Sequence, residues 1–223
     1  ETQKFFVEST RLGIPVDFTN EGIRGLCHQG ATGFPSQIGI GSTWNPALAL
    51  EIGKIIGKEA RILGYTNVYS PVLDLARDPR WGRVVECFGE DPYLVSELGV
   101  NMVRGIQSEN VASTVKHFAV YSIPKGGRDG HVRTDPKVGL REMYQMHLSP
   151  FERVVKEANV LGVMSSYNDY DGIPISSSTF FLKEILREKW GFNGYVVSDS
   201  WAIGGLEGRH NIAKNFKEKF KHR

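Results

Sequence analysis

The chain has 223 residues, of which 40% are apolar and 23% charged, and a formal net charge of +2. Those fractions are ordinary for a globular protein of one large or two small domains. Apart from the last ten residues there is no basic stripe, and no window approaches the ~18 apolar residues of a membrane span, so neither a nucleic-acid nor a membrane partner is expected. Two cysteines, Cys27 and Cys87, are too few for a disulfide framework. The sequence opens at Glu1-Thr2-Gln3 without an initiator Met, so the lack of a visible signal segment carries no weight.

In chain order, residues 4–10 read as the end of a helix, and Leu12 to Phe18 as a loop and strand, followed by the polar segment Thr19 to Gly25. A glycine-rich loop runs from Gly30 to Gly41. Leu48, Ile52, Ile55, Ile56 and Leu63 fall at helical spacing, with Asn45 as N-cap, Pro46 at the first helical position and Gly64 beyond the end. Asn67 to Asp74 is the next strand, and it runs into the polar loop Arg77-Asp78-Pro79-Arg80-Trp81-Gly82-Arg83. Asp91-Pro92 opens a helix carrying Leu94, Leu98, Met102 and Ile106; Val111 to Phe118 is a strand containing Lys116-His117. A charged glycine-rich loop spans Pro124 to Arg133, and a helix runs from Pro136 to Asn159. Then come a strand over Val160 to Tyr167, a turn at Asp171-Gly172, and a helix over residues 178–190. Tyr195 to Val197, bounded by glycines, reads as a strand buried on both faces and delivers Asp199 at its end.

Strands alternating with helices of this length give βαβ units, hence an α/β protein with a parallel sheet. There is no short repeat, low-complexity tract or linker. Residues 1–213 form one expected domain, and the charged tail 214–223 lies outside its core.

Polar residues collect just after the expected strands: Glu21, Arg83, Lys116, His117, Arg128 and Asp199. In a (β/α)8 barrel those positions share one face and build the active site. Each residue also has a plainer reading. Asp199 fits an N-cap, Lys116-His117 a satisfied core pair, Arg83 a tie to Glu86 or Asp78, and Trp81 a core residue. The set carries the argument. An acid at the end of a buried strand is costly without a role or a partner, which makes Asp199 a candidate nucleophile. His28, His117, His131 and His147 lack the spacing of a metal site, and no phosphate loop, GxGxxG frame or GxSxG elbow occurs, so no metal or cofactor is expected.

The ordered motifs resemble the family 3 glycoside hydrolases, the β-glucosidase and β-xylosidase group. The resemblance covers nearly all of residues 11–213. Its carriers are Arg77-Asp78-Pro79-Arg80-Trp81-Gly82-Arg83 with Glu90-Asp91-Pro92, Lys116-His117-Phe118, Leu140-Arg141-Glu142 with Pro150-Phe151, Val163 to Asn168, and Gly191 to Asp199. The resemblance implies a TIM-barrel-like domain and a retaining exo-β-glycosidase acting on terminal β-D-glucosyl residues of a β-linked oligosaccharide or glycoside. It places the nucleophile at Asp199 and sugar-hydroxyl ligands at Glu21, Arg83, Lys116, His117 and Arg128, with Trp201 as an aromatic against the sugar. Lys116 and Arg128 are then expected to keep Asp199 ionised. Glu21, one methylene longer than Asp, leaves a β-xylosidase open, and a sugar-binding remnant without catalysis is a third reading. Phe118 to Ser122 lacks the Pro-Gly-His-Gly loop of the family's N-acetylglucosaminidase branch. The family takes its acid/base glutamate from a C-terminal α/β sandwich domain. With five or six strands counted here, the resemblance implies an incomplete barrel truncated at both ends. Many relatives of this kind are secreted or periplasmic.

Overall fold

The computed structural model describes residues 1–122 and 134–215. Its elements in order are α1 (Thr2–Ser9), β1 (Thr19–Glu21), α2 (Gln37–Gly41), α3 (Pro46–Leu63), β2 (Asn67–Tyr69), α4 (Pro92–Ser108), β3 (Ala112–Phe118), α5 (Leu140–Glu142), α6 (Ser149–Ala158), β4 (Gly162–Ser165), β5 (Asp169–Tyr170), β6 (Ile173–Pro174), β7 (Tyr195–Ser198) and α7 (Ala202–Gly208). A π-type turn, Met143–His147, joins α5 to α6, and a π-type helix, Phe180–Lys189, precedes β7. The chain is thus α/β. Five strands form one parallel sheet in the order β1-β2-β3-β4-β7, and β5-β6 is a small antiparallel hairpin. Among the described residues this sheet does not close into a barrel, leaving β1 and β7 at its edges.

Helix boundaries follow local chemistry. The Asn45 side chain accepts from Leu48 N–H at 3.2 Å, Pro46 follows it, and Gly64 ends α3 at φ +85°. Asp91 caps α4 in the same way, at 2.7 Å from Leu94 N. Helices α3 and α4 pack with almost no space between their backbones. A Cβ on Gly53 would lie 2.5 Å from the Met102 carbonyl oxygen, and one on Gly105 would lie 2.3 Å from that of Leu50. The apolar stripe of α4, Val95, Leu98, Met102, Val103 and Ile106, is buried, each side chain contributing about 1.5–3 kcal/mol. Phe118, at the end of β3, sits edge-on to Phe151, Phe181 and Trp190 at 5.4, 6.1 and 5.8 Å. That cluster fixes the strand end that carries the polar residues.

Four details depart from the sequence reading. The first strand is Thr19–Glu21, inside the segment read as polar, while Leu12 and Ile14 stay exposed. The second strand stops at Tyr69, because Pro71 has no N–H to give the ladder, and Val72 makes only a single bridge to Lys116. The helix expected over 136–159 begins at Leu140 and changes register through Met143–His147 before α6. Finally, β7 is half-buried rather than buried on both faces, because nothing among the described residues pairs with its outer edge.

Candidate active site

Parallel pairing aligns the C-terminal ends of β1, β2, β3, β4 and β7 along one rim. Glu21 is the last residue of β1, Asp74 follows β2, Lys116 and His117 lie near the end of β3, and Asp199 follows β7. The backbone N–H of Asp199 donates to Ser165 O at 3.1 Å, extending the β4–β7 ladder by one bond. The carboxylate is thereby aimed from the rim.

The two oxygens of Asp199 differ. Oδ1 accepts from Ser200 N–H at 2.7 Å, as a capping acid would. Oδ2 is buried and makes no hydrogen bond with a described residue. It faces His117 Nε2 at 3.6 Å and Arg83 Nη1 at 3.9 Å. The Tyr167 hydroxyl, beyond β4, also interacts with this carboxylate, and burial together with the nearby negative charge raises its pKa. The cations expected beside Asp199 were Lys116 and Arg128. Instead, Lys116 is buried and donates to Glu21 Oε2 at 2.6 Å, and among the described residues Arg83 is the Lys or Arg within 4 Å of Asp199. Arg128 lies outside the described residues.

Arg83 lies between two carboxylates. Its Nε and Nη2 form a fork onto Glu86 at 3.0 and 2.8 Å, leaving Nη1 turned to Asp199. This fork is the loop tie read from the sequence. Burial is the largest single influence and disfavours the charged guanidinium, but the Glu86 hydrogen bonds and the charges of Glu86, Asp74 and Tyr121 together outweigh it and raise the pKa of Arg83. The Arg83 guanidinium also lies 5.8 Å from the Tyr121 ring, whose edge meets Trp81, His117 and Tyr167. Trp81 is core, as its plainer reading had it. Trp201 is the opposite case. It is 81% exposed, at φ +61°, two residues after Asp199.

Asp74 was missed by sequence reasoning. It is fully buried, and its Oδ2 accepts from His117 N–H at 3.1 Å and lies 2.7 Å from His117 Nδ1. Burial pushes the Asp74 carboxyl up to about 7 and holds the His117 imidazole well below its usual value. The signal was available: Asp74 is an acid at the end of an apolar run, as Asp199 is. A second buried pair, His210 Nδ1 to Asp169 Oδ1 at 2.7 Å, ties the segment after α7 to the β5–β6 hairpin.

Among the described residues no group of three or more His, Cys, Asp or Glu could hold a metal ion, and no helix is long and apolar enough to cross a membrane. A hollow of about 610 Å³ flanks β7, lined in part by Ser165, Ser176, Ser178, Ser198 and Arg187.

Such a rim offers a carboxylate with one oxygen that makes no hydrogen bond among the described residues, an imidazole and a guanidinium turned toward it, a half-exposed carboxylate on a lysine, and an exposed indole. The glycosyl hydrolase family 3 N-terminal domain matches residues 1–221. The chain belongs to that family. A β-xylosidase from Formosa agariphila is 41% identical over 222 residues, covering 93% of this chain and 30% of its own length. Among solved structures, a β-glucosidase from Erythrobacter marinus superposes with a TM-score of 0.91 at 35% identity, over 97% of this chain and 29% of its own. A mutant β-glucosidase from Listeria innocua in complex with laminaribiose gives 0.89 at 33%, over 99% and 30%. This family 3 chain therefore spans about 30% of the length of the relatives it matches.

Proposed function

We propose that this chain is the nucleophile-bearing part of a retaining exo-β-glycosidase, with Asp199 attacking the anomeric carbon of a terminal β-D-glucosyl residue. The observation that carries the reading is the buried Oδ2 of Asp199 at the mouth of the strands, which makes no hydrogen bond among the described residues and is faced by Arg83 and His117. Arg83, fixed by Glu86, keeps positive charge beside the carboxylate, and an ionised acid is what attack requires. A sugar hydroxyl entering between His117 Nε2 and Asp199 Oδ2 reaches both atoms. Lys116 and Glu21 offer a donor and an acceptor to further hydroxyls, Arg128 is assigned with them on the family resemblance, and Trp201 offers a stacking face. Hydrogen bonds that tighten on the oxocarbenium-like transition state add rate as well as affinity.

A retaining mechanism needs a second carboxyl about 5–5.5 Å from the first. We assign it to a glutamate of a further α/β sandwich domain in the full-length protein, in line with the family resemblance. A β-xylosidase is the second reading, favoured by the name of the 41% identical relative and by the length of Glu21.

Trapping separates catalysis from binding alone. Incubation with an activated 2-deoxy-2-fluoro-β-glucoside is expected to add one glycosyl mass to the peptide containing Asp199, and no mass in Asp199→Asn. Faster labelling by the fluoro-xyloside selects the second reading. Sugar binding without any label, in folded protein, selects a non-catalytic carbohydrate binder.

A further inference from the structure

We propose that Asp74 is a positioning residue that keeps a proton on Nε2 of His117, so that this buried nitrogen acts as a hydrogen-bond donor toward Asp199 and the bound sugar. The inference rests on the glycosidase reading for its purpose, not for its geometry.

Consider what each nitrogen of His117 meets. Nδ1 lies 2.7 Å from Asp74 Oδ2, which also takes the backbone N–H of the same residue at 3.1 Å. Nε2 is buried with no hydrogen-bond partner among the described residues, 3.6 Å from an Asp199 oxygen that also has none. A bare Nε2 would set a lone pair against a carboxylate in a water-poor site, which is repulsive; a protonated Nε2 makes the same approach attractive. A neutral imidazole has one N–H. If it sits on Nε2, then Nδ1 must accept a hydrogen bond, and among the described residues the group in place to donate is the carboxyl form of Asp74. If the bridging proton moves across, the pair becomes carboxylate and imidazolium, and Nε2 still carries hydrogen. In both arrangements the pair holds two protons.

The surrounding charges favour retaining both. Burial raises the Asp74 pKa most, Glu86 and Asp199 raise it further, and Arg83 with the His117 N–H works against them, the balance standing at about 7. Arg83 and Lys116 disfavour an imidazolium and so place the bridging proton on Asp74. Cys87 and Tyr121 also face this carboxylate, and burial keeps both in their neutral forms. Tyr167 faces the same pocket from the end of β4 through Asp199. As pH rises through neutrality the pair gives up one proton. Asp74 then takes Nδ1–H as a carboxylate, Nε2 is left bare, and its donor function is lost.

The test is a two-bond proton–nitrogen spectrum of nitrogen-15 histidine-labelled protein between about pH 5 and 9, with His117 assigned by the signal absent in His117→Gln. The expected result is a protonated Nε2 at the acid end that loses its proton near neutrality. In Asp74→Asn the atom facing Nδ1 also takes the His117 backbone N–H, which selects the amide oxygen there over the NH2, so Nδ1–H points to that oxygen and Nε2 is bare across the same range. Labelling of Asp199 by the fluoroglycoside then slows about 10–100-fold, the range for losing a charge-assisted hydrogen bond, and loses its alkaline fall. A bare Nε2 in the unsubstituted protein at about pH 6 overturns the proposal whatever the labelling shows. A protonated Nε2 with no labelling of any kind overturns the glycosidase reading and leaves the proton assignment standing. Should Asp74→Asn not fold, the spectrum of the unsubstituted protein decides alone.

Discussion

The described residues include two buried aspartate–histidine pairs, each with a 2.7 Å contact to Nδ1: Asp74–His117 and Asp169–His210. Their surroundings divide them. Asp169–His210 joins the β5–β6 hairpin to the segment leaving α7, among backbone hydrogen bonds such as Asp169 N to Thr134 O and His210 N to Gly205 O. Asp74–His117 sits among Arg83, Glu86, Lys116 and Asp199, and the far nitrogen of its imidazole looks at a carboxylate oxygen that makes no hydrogen bond among the described residues. A pair of the same residue types is a fastener in one place and part of a charge array in the other. What marks the second is the carboxylate facing the far ring nitrogen of His117.

Breaking the array at its centre has the largest expected effect. Asp199→Asn removes the attacking oxygen and lowers the rate of covalent labelling by at least about 10⁴-fold, read by mass spectrometry, while the fold is retained. Next is the fastener. His210→Ala removes the imidazole packed on Asp169 and lowers the free energy of urea unfolding by about 1–3 kcal/mol, the range for losing one partner of a buried polar contact. Labelling of the folded fraction stays close to the unsubstituted rate. Equal loss of labelling and stability would erase the distinction between the pairs.

The third prediction uses pH. The Asp74 carboxyl is pushed from 3.8 up to about 7 in the folded protein. His117 shifts the other way, so the two are counted together: the folded pair, a carboxyl beside a neutral imidazole, holds two protons, and the unfolded chain between about pH 4 and 6.5, a carboxylate and an imidazolium, holds two as well. The pair therefore adds no slope to the free energy of urea unfolding in that range, and its stabilisation falls only as pH rises from about 6.5 through about 7, where the unfolded imidazolium has lost its proton and the folded pair gives up one. In Asp74→Asn the neutral His117 stands alone, so stability is expected to rise with pH up to about 6.5. The smallest effect is at Trp201, which is 81% exposed and held at φ +61°. Trp201→Gly relieves a left-handed conformation that costs a bulky residue about 1 kcal/mol, so stability is unchanged or slightly raised while sugar affinity, measured by calorimetry, falls.

Legibility in the sequence followed the range of the interaction. Caps were readable at Asn45-Pro46, Gly64 and Asp91 because the partners lie within four residues. The acid after β7 and the Lys116-His117 pair were readable because polar groups at the ends of apolar runs are costly without partners. Which partner each would find was not readable. Lys116 was set beside Asp199 and instead meets Glu21, since β1 lies two places from β3 in the sheet, and that order is a property of the whole fold. Asp74 escaped notice although it ends an apolar run, because its meaning depends on His117, 43 positions away. The first strand was misplaced because Ile14 is apolar yet exposed, while Thr19 and Asn20 enter the sheet through backbone bonds that side-chain polarity does not report.

The alignment of strand ends has a consequence for timing. The rim groups come from segments far apart in the chain, with Glu21 on β1, Lys116 and His117 on β3 and Asp199 after β7, and the backbone of Asp199 is tied to β4 by the last bond of the β4–β7 ladder. Pairings between parallel strands with helices between them close long loops, and such contacts form slowly. During refolding, helical signal and burial of Phe118 are therefore expected to appear before the protein becomes competent for labelling. On the ribosome, the rim stays incomplete until the segment bearing Asp199 has emerged and docked beside β4.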